Sequence, residues 1–353
     1  MTNNKQQTTT YSFEFRPYRR PFVRTLSTSH GNWDVREGII LRLTNETGRV
    51  GWGEIAPISW FGSETLEQAL DFCQQLPPEI TSTDVFSIPV ELPACQFGFE
   101  SAWQALTDES NFDSRTPPLL SKRELGEAKT RELDFGLITN PKSKIPYSCL
   151  LPTGEAAIQS WQTPWNQGNR TFKWKIGVAP IEEELNLFTQ LIQSLPASAQ
   201  LRLDANGGLT QQEAQQWLKV SDEVGGVEFL EQPLLPEQFN TMLEMSYQYS
   251  TPIALDESVA TLNQLEDCYQ RGWRGIFVIK VAIAGSPKRL RQLCQEYEMD
   301  TVFSSVFETA IARQAALQLA AELSNPKRAV GFGVNHWFDE DDENWFEHLW
   351  KQH

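Results

Sequence analysis

From Ile145 onward the chain repeats one unit, a short apolar run followed by a stretch with helical spacing. The runs fall at residues 145–151, 170–176, 200–204, 227–231, 252–256, 275–281, 301–306 and 329–334. Strands that alternate with helices pair in parallel, because each helical crossover returns the chain to the same end of the sheet. Eight such units predict a closed (β/α)8 barrel of the TIM type. The competing arrangement, an open doubly wound sheet, wants a glycine-rich first turn that the residues after Leu151 lack. Helix boundaries agree with the barrel. Thr210 with Glu213 and Thr261 with Gln264 form capping-box patterns, Ser286-Pro287 is an N-cap followed by a first-turn proline, and Asn325-Pro326 closes the last full helix.

The polar residues that end successive runs are Lys175, Asp204, Glu231, Asp256 and Lys280, spaced 29, 27, 25 and 24 residues apart. That is the length of one βα unit, so all five stand at one level on the C-terminal face, where barrel enzymes keep their chemistry. Three carboxylates meeting there repel one another unless a cation sits among them, and an all-oxygen donor set suits Mg²⁺, with Mn²⁺ as a substitute. Period-2 alternation puts Lys173 on the face of Lys175 and Arg202 on the face of Asp204. A lysine among other cations has its pKa lowered, as a general base near neutral pH requires. Asn206 reads equally as support for the metal ligands and as turn chemistry. Glu257 should point away from the lumen as a structural partner.

Before the barrel, residues 11–54 read as a strand meander: Tyr11 to Tyr18, Trp33 to Leu43, a turn through Asn45 to Gly48, then Val50 to Glu54. A helix follows Ser63, with Leu66, Ala69, Leu70, Cys73 and Leu76 at helical spacing, and a second lies near 93–106. Residues 107–144 are charged, contain Pro117-Pro118 and show no period, which places them between domains.

Composition narrows the function. The 30 Lys+Arg against 46 Asp+Glu give a net charge of −16, which repels nucleic-acid backbones and anionic lipid. No apolar stretch approaches the roughly 18 residues of a membrane span, the first ten residues lack an apolar leader core, and the odd, widely spaced cysteines show no zinc or dithiol pattern. A cytoplasmic enzyme with a small-molecule carboxylate substrate is expected, neither nucleic acid nor membrane being a partner. The four histidines show no metal-ligand spacing, and nucleophile-elbow and phosphate-loop motifs are missing. Trp33 and Trp60 lie in segments, Ser27 to Trp33 and Ile58 to Glu64, expected to reach over the barrel mouth as loops.

The runs Lys173-Trp174-Lys175, Asp204-Ala205-Asn206, Glu231-Gln232-Pro233 and Asp256-Glu257-Ser258, with Lys280, resemble the enolase superfamily. Within it the chain is most similar to the muconate-lactonizing subgroup, and there to dehydratases of menaquinone and phylloquinone biosynthesis. Residues 33–38, 51–57, Glu64-Thr65, 303–305 and Glu308-Thr309 extend the resemblance from about Tyr11 to His336. It implies an α+β capping domain over a modified barrel lacking a regular last helix. The expected division is a flexible N-terminus at 1–10, a capping domain at 11–106, an inter-domain segment at 107–144, the barrel at 145–336, and a segment at 337–353 packing on the capping domain. By the same resemblance Asp204, Glu231 and Asp256 bind Mg²⁺, Lys175 is the base and Lys280 lies across the substrate. Lys173 holds the carboxylate and depresses the pKa of Lys175, Arg202 and Asn206 support the site, and Ser304 and Ser305 meet the far end of the substrate. The implied reaction is loss of water from a hydroxylated cyclohexadiene carboxylate. Racemisation of N-acylamino acids is the alternative within the class, and a metal-binding barrel without turnover the alternative outside it. The run 331–336 lacks the Asp-x-Asp of dipeptide epimerases, which argues against that relative.

Overall fold

The computed structural model describes residues 9–28, 31–108, 145–333, 337–338 and 342–351. The segment expected between domains therefore lies outside the described residues from 109 to 144. A four-stranded antiparallel sheet comes first, built from β1 (Thr10–Thr28), β2 (Gly31–Thr44), β3 (Val50–Ile55) and β4 (Glu79–Thr81) in the order β3-β2-β1-β4. Helices α1 (Leu66–Gln75), α2 (Ser82–Phe86) and α3 (Pro93–Thr107) accompany it. The stretch from Ser27 to Trp33, expected as a loop, instead ends a long hairpin in which Ser27 pairs with Asn32 and Leu26 with Trp33.

The run Gly51-Trp52-Gly53-Glu54 shows how alternation builds two contacts at once. Gly51 and Gly53 face α3 so closely that a Cβ on either would collide with the helix backbone at Ala102 or Gly98. Trp52 and Glu54 point the other way. Trp52 packs edge-on against Phe346 and Trp350 of the last helix, α13 (Asp342–Lys351), in a cluster with Tyr18 and Ile40. Glu54 reaches into the second domain.

That domain is a seven-stranded parallel sheet: β5 (Ser148–Leu150), β6 (Thr171–Lys175), β7 (Gln200–Asp204), β8 (Val227–Glu231), β9 (Ile253–Leu255), β10 (Ile276–Ile279) and β11 (Asp300–Phe303), in chain order. In sequence order the helices are α4 (Ala157–Ser160), α5 (Gln162–Asn166), α6 (Ile181–Ser194), α7 (Gln211–Val224), α8 (Phe239–Gln248), α9 (Leu262–Gln270), α10 (Val281–Ala284), α11 (Pro287–Glu296) and α12 (Ala310–Leu323). The eighth expected strand is reduced to two isolated parallel bridges, Tyr147 with Val330 and Ser304 with Gly331, and these join the two edges of the sheet. Both expected capping boxes form, and Ser286 Oγ accepts from Arg289 N–H. Among the described residues no helix is long and apolar enough to cross a membrane.

Outward side chains such as Phe172, Trp174, Leu203, Leu230 and Phe277 join the main core beneath the helices. Inward ones form a separate small cluster, Phe229, Ala254, Ile276, Val278 and Val302, which fills the lower lumen. The two domains are joined through buried carboxylates. Glu54, with no exposed surface, accepts from Tyr18 Oη (2.6 Å), Thr309 N–H (3.0 Å), Thr309 Oγ1 (2.5 Å) and Ala312 N–H (3.1 Å) at the start of α12. Glu100 accepts from Lys288 N–H at the start of α11. A carboxylate at a helix N-terminus satisfies donors that the helix itself leaves unpaired. Glu54→Ala strands four buried donors, so stability should fall by about 3 kcal/mol or more, read as a lower urea midpoint for unfolding. A wild-type midpoint would show that Glu54 does not join the domains.

Candidate active site

Parallel register brings the run-ending residues level. Lys175 sits opposite Asp204 across β6 and β7, and Asp204 opposite Glu231 across β7 and β8. Asp256 follows β9 directly and Lys280 follows β10. Asp204, Glu231 and Asp256 are all buried. Lys173 Nζ lies 2.8 Å from both Asp204 Oδ2 and Glu231 Oε1. Lys280 Nζ is ion-paired with both oxygens of Asp256 and lies 4.0 Å from the centre of the Phe61 ring. Lys175, half-buried, has no hydrogen-bond or ion-pair partner among the described residues. β6 and β10 are four strands apart, so the two lysines face each other across the lumen.

The electrostatics record a surplus of negative charge. Burial and then repulsion from Asp204 push the Glu231 carboxyl up to about 8, although Lys173 opposes the shift. Burial raises Asp256 to about 6 against the pull of Lys280. Burial works against ionisation of Asp204 too, but Lys173, Lys280 and the Asn206 N–H together outweigh it and hold that carboxyl below its ordinary value. Lys173, which burial alone would lower, is raised by Asp204, Glu231 and Asp256. Among the described residues no three ligating side chains converge on one point, since Lys173 bridges Asp204 and Glu231 while Lys280 holds Asp256. The chemistry of the donor set nonetheless fits Mg²⁺: three buried carboxylates, without nitrogen or sulfur, under-neutralised by two ammonium groups.

The supporting residues differ from expectation in three places. Arg202 lies below the site rather than in it. Its guanidinium is fixed by Glu228 (2.7 Å) and the Ala329 carbonyl (2.7 Å) and rests over Phe229, at the closed end of the lumen. Ser305 points away from the lumen, donating to Glu308 (2.9 Å) and accepting from Phe307 N–H, whereas Ser304 follows β11 on the inward face of Val302. Glu257 turns toward the carboxylates instead of away, because β9 ends at Leu255 and a 3-10 turn, 257–259, breaks the alternation. It accepts from Asn206 Nδ2 (3.2 Å), and its ionisation is opposed first by burial, with Asp204 and Glu231 adding to the rise against the pull of Lys280. Asn206, left-handed at φ 45°, also donates its N–H to Asp204 Oδ1 (3.1 Å), so it ties two carboxylates together.

Gln232 was not singled out by sequence reasoning. Fully buried, and left-handed at φ 37°, it accepts from Asp256 N–H (2.9 Å) and Ser258 N–H (3.1 Å) and donates to Ser258 Oγ (2.7 Å). It thereby fixes the turn that aims Asp256. The Ile58–Glu64 loop does reach the barrel mouth: Phe61 covers Lys280, while Trp60, 42% exposed, packs edge-on against Trp33, which in turn meets Phe22 and Phe307.

Two family models match: "Enolase C-terminal domain-like" over residues 156–349 and "MenC, N-terminal domain" over residues 14–106. The o-succinylbenzoate synthase of Thermosynechococcus vestitus is 40% identical over 92% of this chain and 93% of its own. The L-Ala-D/L-Glu epimerase of Bacillus subtilis is 25% identical over 88% of this chain and 84% of its own. The crystal structure of o-succinylbenzoate synthase from Thermosynechococcus elongatus, complexed with Mg in its active site, covers 97% of this chain and 100% of that one, with TM-score 0.81 and 38% identity.

The raised Glu231 carboxyl sets a pH dependence. The folded chain keeps a proton that the unfolded chain releases above about pH 4.3, so this group favours folding at low pH and the benefit is lost as pH rises toward about 8. A divalent cation bound there must displace that proton at low pH and need not at high pH. Mg²⁺ should therefore raise the melting temperature more at pH 8.5 than at pH 6. Equal shifts at both would place Glu231 outside the metal site.

Proposed function

The chain belongs to the o-succinylbenzoate synthases of the enolase superfamily, and we propose that Lys175 and Lys280 carry out their reaction here, with Asp204, Glu231 and Asp256 as metal ligands. That reaction is the loss of water from 2-succinyl-6-hydroxy-2,4-cyclohexadiene-1-carboxylate to give o-succinylbenzoate, a step of menaquinone and phylloquinone biosynthesis. When bound, Mg²⁺ supplies positive charge that lets the substrate carboxylate accept electron density from the adjacent carbon.

The observation that carries the assignment is the contrast between the two lysines. Lys175, level with Asp204, has no hydrogen-bond or ion-pair partner among the described residues, which leaves its nitrogen available as a general base needs. It removes the C1 proton. The electron pair of that C–H bond becomes the new ring double bond as the C6–O bond breaks, and the Lys175 ammonium returns its proton to the departing hydroxide on the same face. Lys280 is held by both oxygens of Asp256 and by the Phe61 ring, so it acts as a fixed cation facing the developing negative charge. Lys173 supplies a second cation between Asp204 and Glu231, and Asn206 holds Asp204 in place. Ser304 faces the lumen where the succinyl chain extends. Arg202 and Ser305 take no direct part, their polar atoms being engaged elsewhere.

Racemisation needs both lysines to carry protons, so both alanine variants would lose it and arginine at 280 would rescue nothing. Lys175→Ala should abolish dehydration and substrate deuterium exchange while Mg²⁺ still binds. Lys280→Ala should lower kcat by roughly 10²–10³-fold, with part of the rate restored by Lys280→Arg, since guanidinium keeps the charge. Wild-type dehydration by Lys175→Ala would sink the mechanism.

A further inference from the structure

We propose that Phe61, contributed by the N-terminal domain, is a positioning residue for Lys280: its ring face holds the ammonium in the orientation from which it meets the substrate. The inference rests on the reading of Lys280 given above and extends it to a residue in the other domain. Lys280 Nζ lies 4.0 Å from the Phe61 centroid, within the range in which a ring face attracts a cation. Asp256 grips the same nitrogen, so the ammonium is caught between a carboxylate from the barrel and a ring from the cap. The lysine side chain is only 16% exposed and Phe61 is buried, which makes the attraction stronger than at a wet surface.

The loop that carries the ring is tied at every turn. Ile58 N–H donates to Ser63 Oγ (2.7 Å), closing the loop on itself. Gly62 is left-handed at φ 119° and sits against Ala260, where a Cβ would come within 3.1 Å of the alanine methyl. Glu64, 3% exposed, accepts from Ala94 N–H (3.0 Å) and Cys95 N–H (2.7 Å) at the start of α3. That helix also meets the barrel just beyond Lys280, because Gln96 Oε1 accepts from Ser286 N–H (3.1 Å) and Glu100 from Lys288 N–H (2.9 Å). The ring and the lysine are thus fixed to one rigid piece. A loop so restrained holds a group in place rather than sweeping over the substrate.

A double-mutant cycle tests this, read in kcat, in KM and in the urea midpoint. Phe61→Leu keeps apolar bulk and removes the ring face, so kcat should fall about 3- to 30-fold with KM changed less. Phe61→Tyr should recover most of the loss. In a Lys280→Ala background Phe61→Leu should lower kcat by less than twofold further, and the two substitutions should be non-additive in the unfolding midpoint. An equal fall in kcat in both backgrounds would overturn the proposal, since Phe61 would then act on substrate or fold independently of Lys280. A wild-type chain without dehydratase activity would sink the functional reading instead. The unfolding cycle would still decide whether the two residues are coupled, and additive midpoints would overturn that.

Discussion

Three carboxylates buried side by side at the mouth of a barrel are the constraint around which the rest is arranged. None tolerates burial as an anion without a nearby cation, and the chain answers with ammonium groups on either side, Lys173 between Asp204 and Glu231 and Lys280 on Asp256. Burial, reinforced by Asp204 at Glu231 and by Glu257 at Asp256, leaves Glu231 and Asp256 harder to ionise than ordinary carboxyls. A site in that condition takes a divalent cation readily, and the countercharge it needs is the one the chemistry uses. Around it, backbone geometry of unusual kind is concentrated: the left-handed residues Asn206 and Gln232 are both hydrogen-bonded to a carboxylate residue or to the turn that carries one.

Beneath this layer the lumen is divided by depth. Phe229, Ala254, Ile276, Val278 and Val302 form a dry floor, and below it a second charged network links Arg202, Glu228, Arg328 and Asp300. The lower network has its charges paired within the chain, with Arg328 donating to both Glu228 and Asp300. The upper one is left with excess negative charge. That difference separates a plug from a reaction site, although Arg202 and Asp204, one from each network, share one face of β7.

Much of this was legible in the sequence, because the period of a βα unit and the period of a strand are fixed by geometry. Spacing of 24 to 29 residues found Lys175, Asp204, Glu231, Asp256 and Lys280 as one tier. Alternation alone reports a face and not a depth, so Arg202 looked like a neighbour of the site when two residues along a strand carry it roughly 6.5 Å away. It also fails where a strand stops, which is why Glu257 was assigned to the wrong side once β9 ended at Leu255. Ser305 follows the same logic in reverse, since its adjacency to Ser304 places it on the opposite face. The eighth strand read as an apolar run, yet among the described residues it pairs only through the bridges Tyr147 with Val330 and Ser304 with Gly331. Gln232 and Glu54 act through partners 24 to 258 residues distant, a kind of contact that no local pattern encodes.

The outer face of the first sheet has a history as well as a structure. Tyr18, Ile40 and Trp52 precede the barrel in the chain, while Trp345, Phe346 and Trp350, which cover them, follow it. Throughout synthesis of the barrel that face waits bare, and Glu54 waits with it for the amides of Thr309 and Ala312. The first domain is consequently completed only after the barrel that follows it has been made. Its exposed aromatic surface during that interval is where chaperone dependence and loss to aggregation would concentrate.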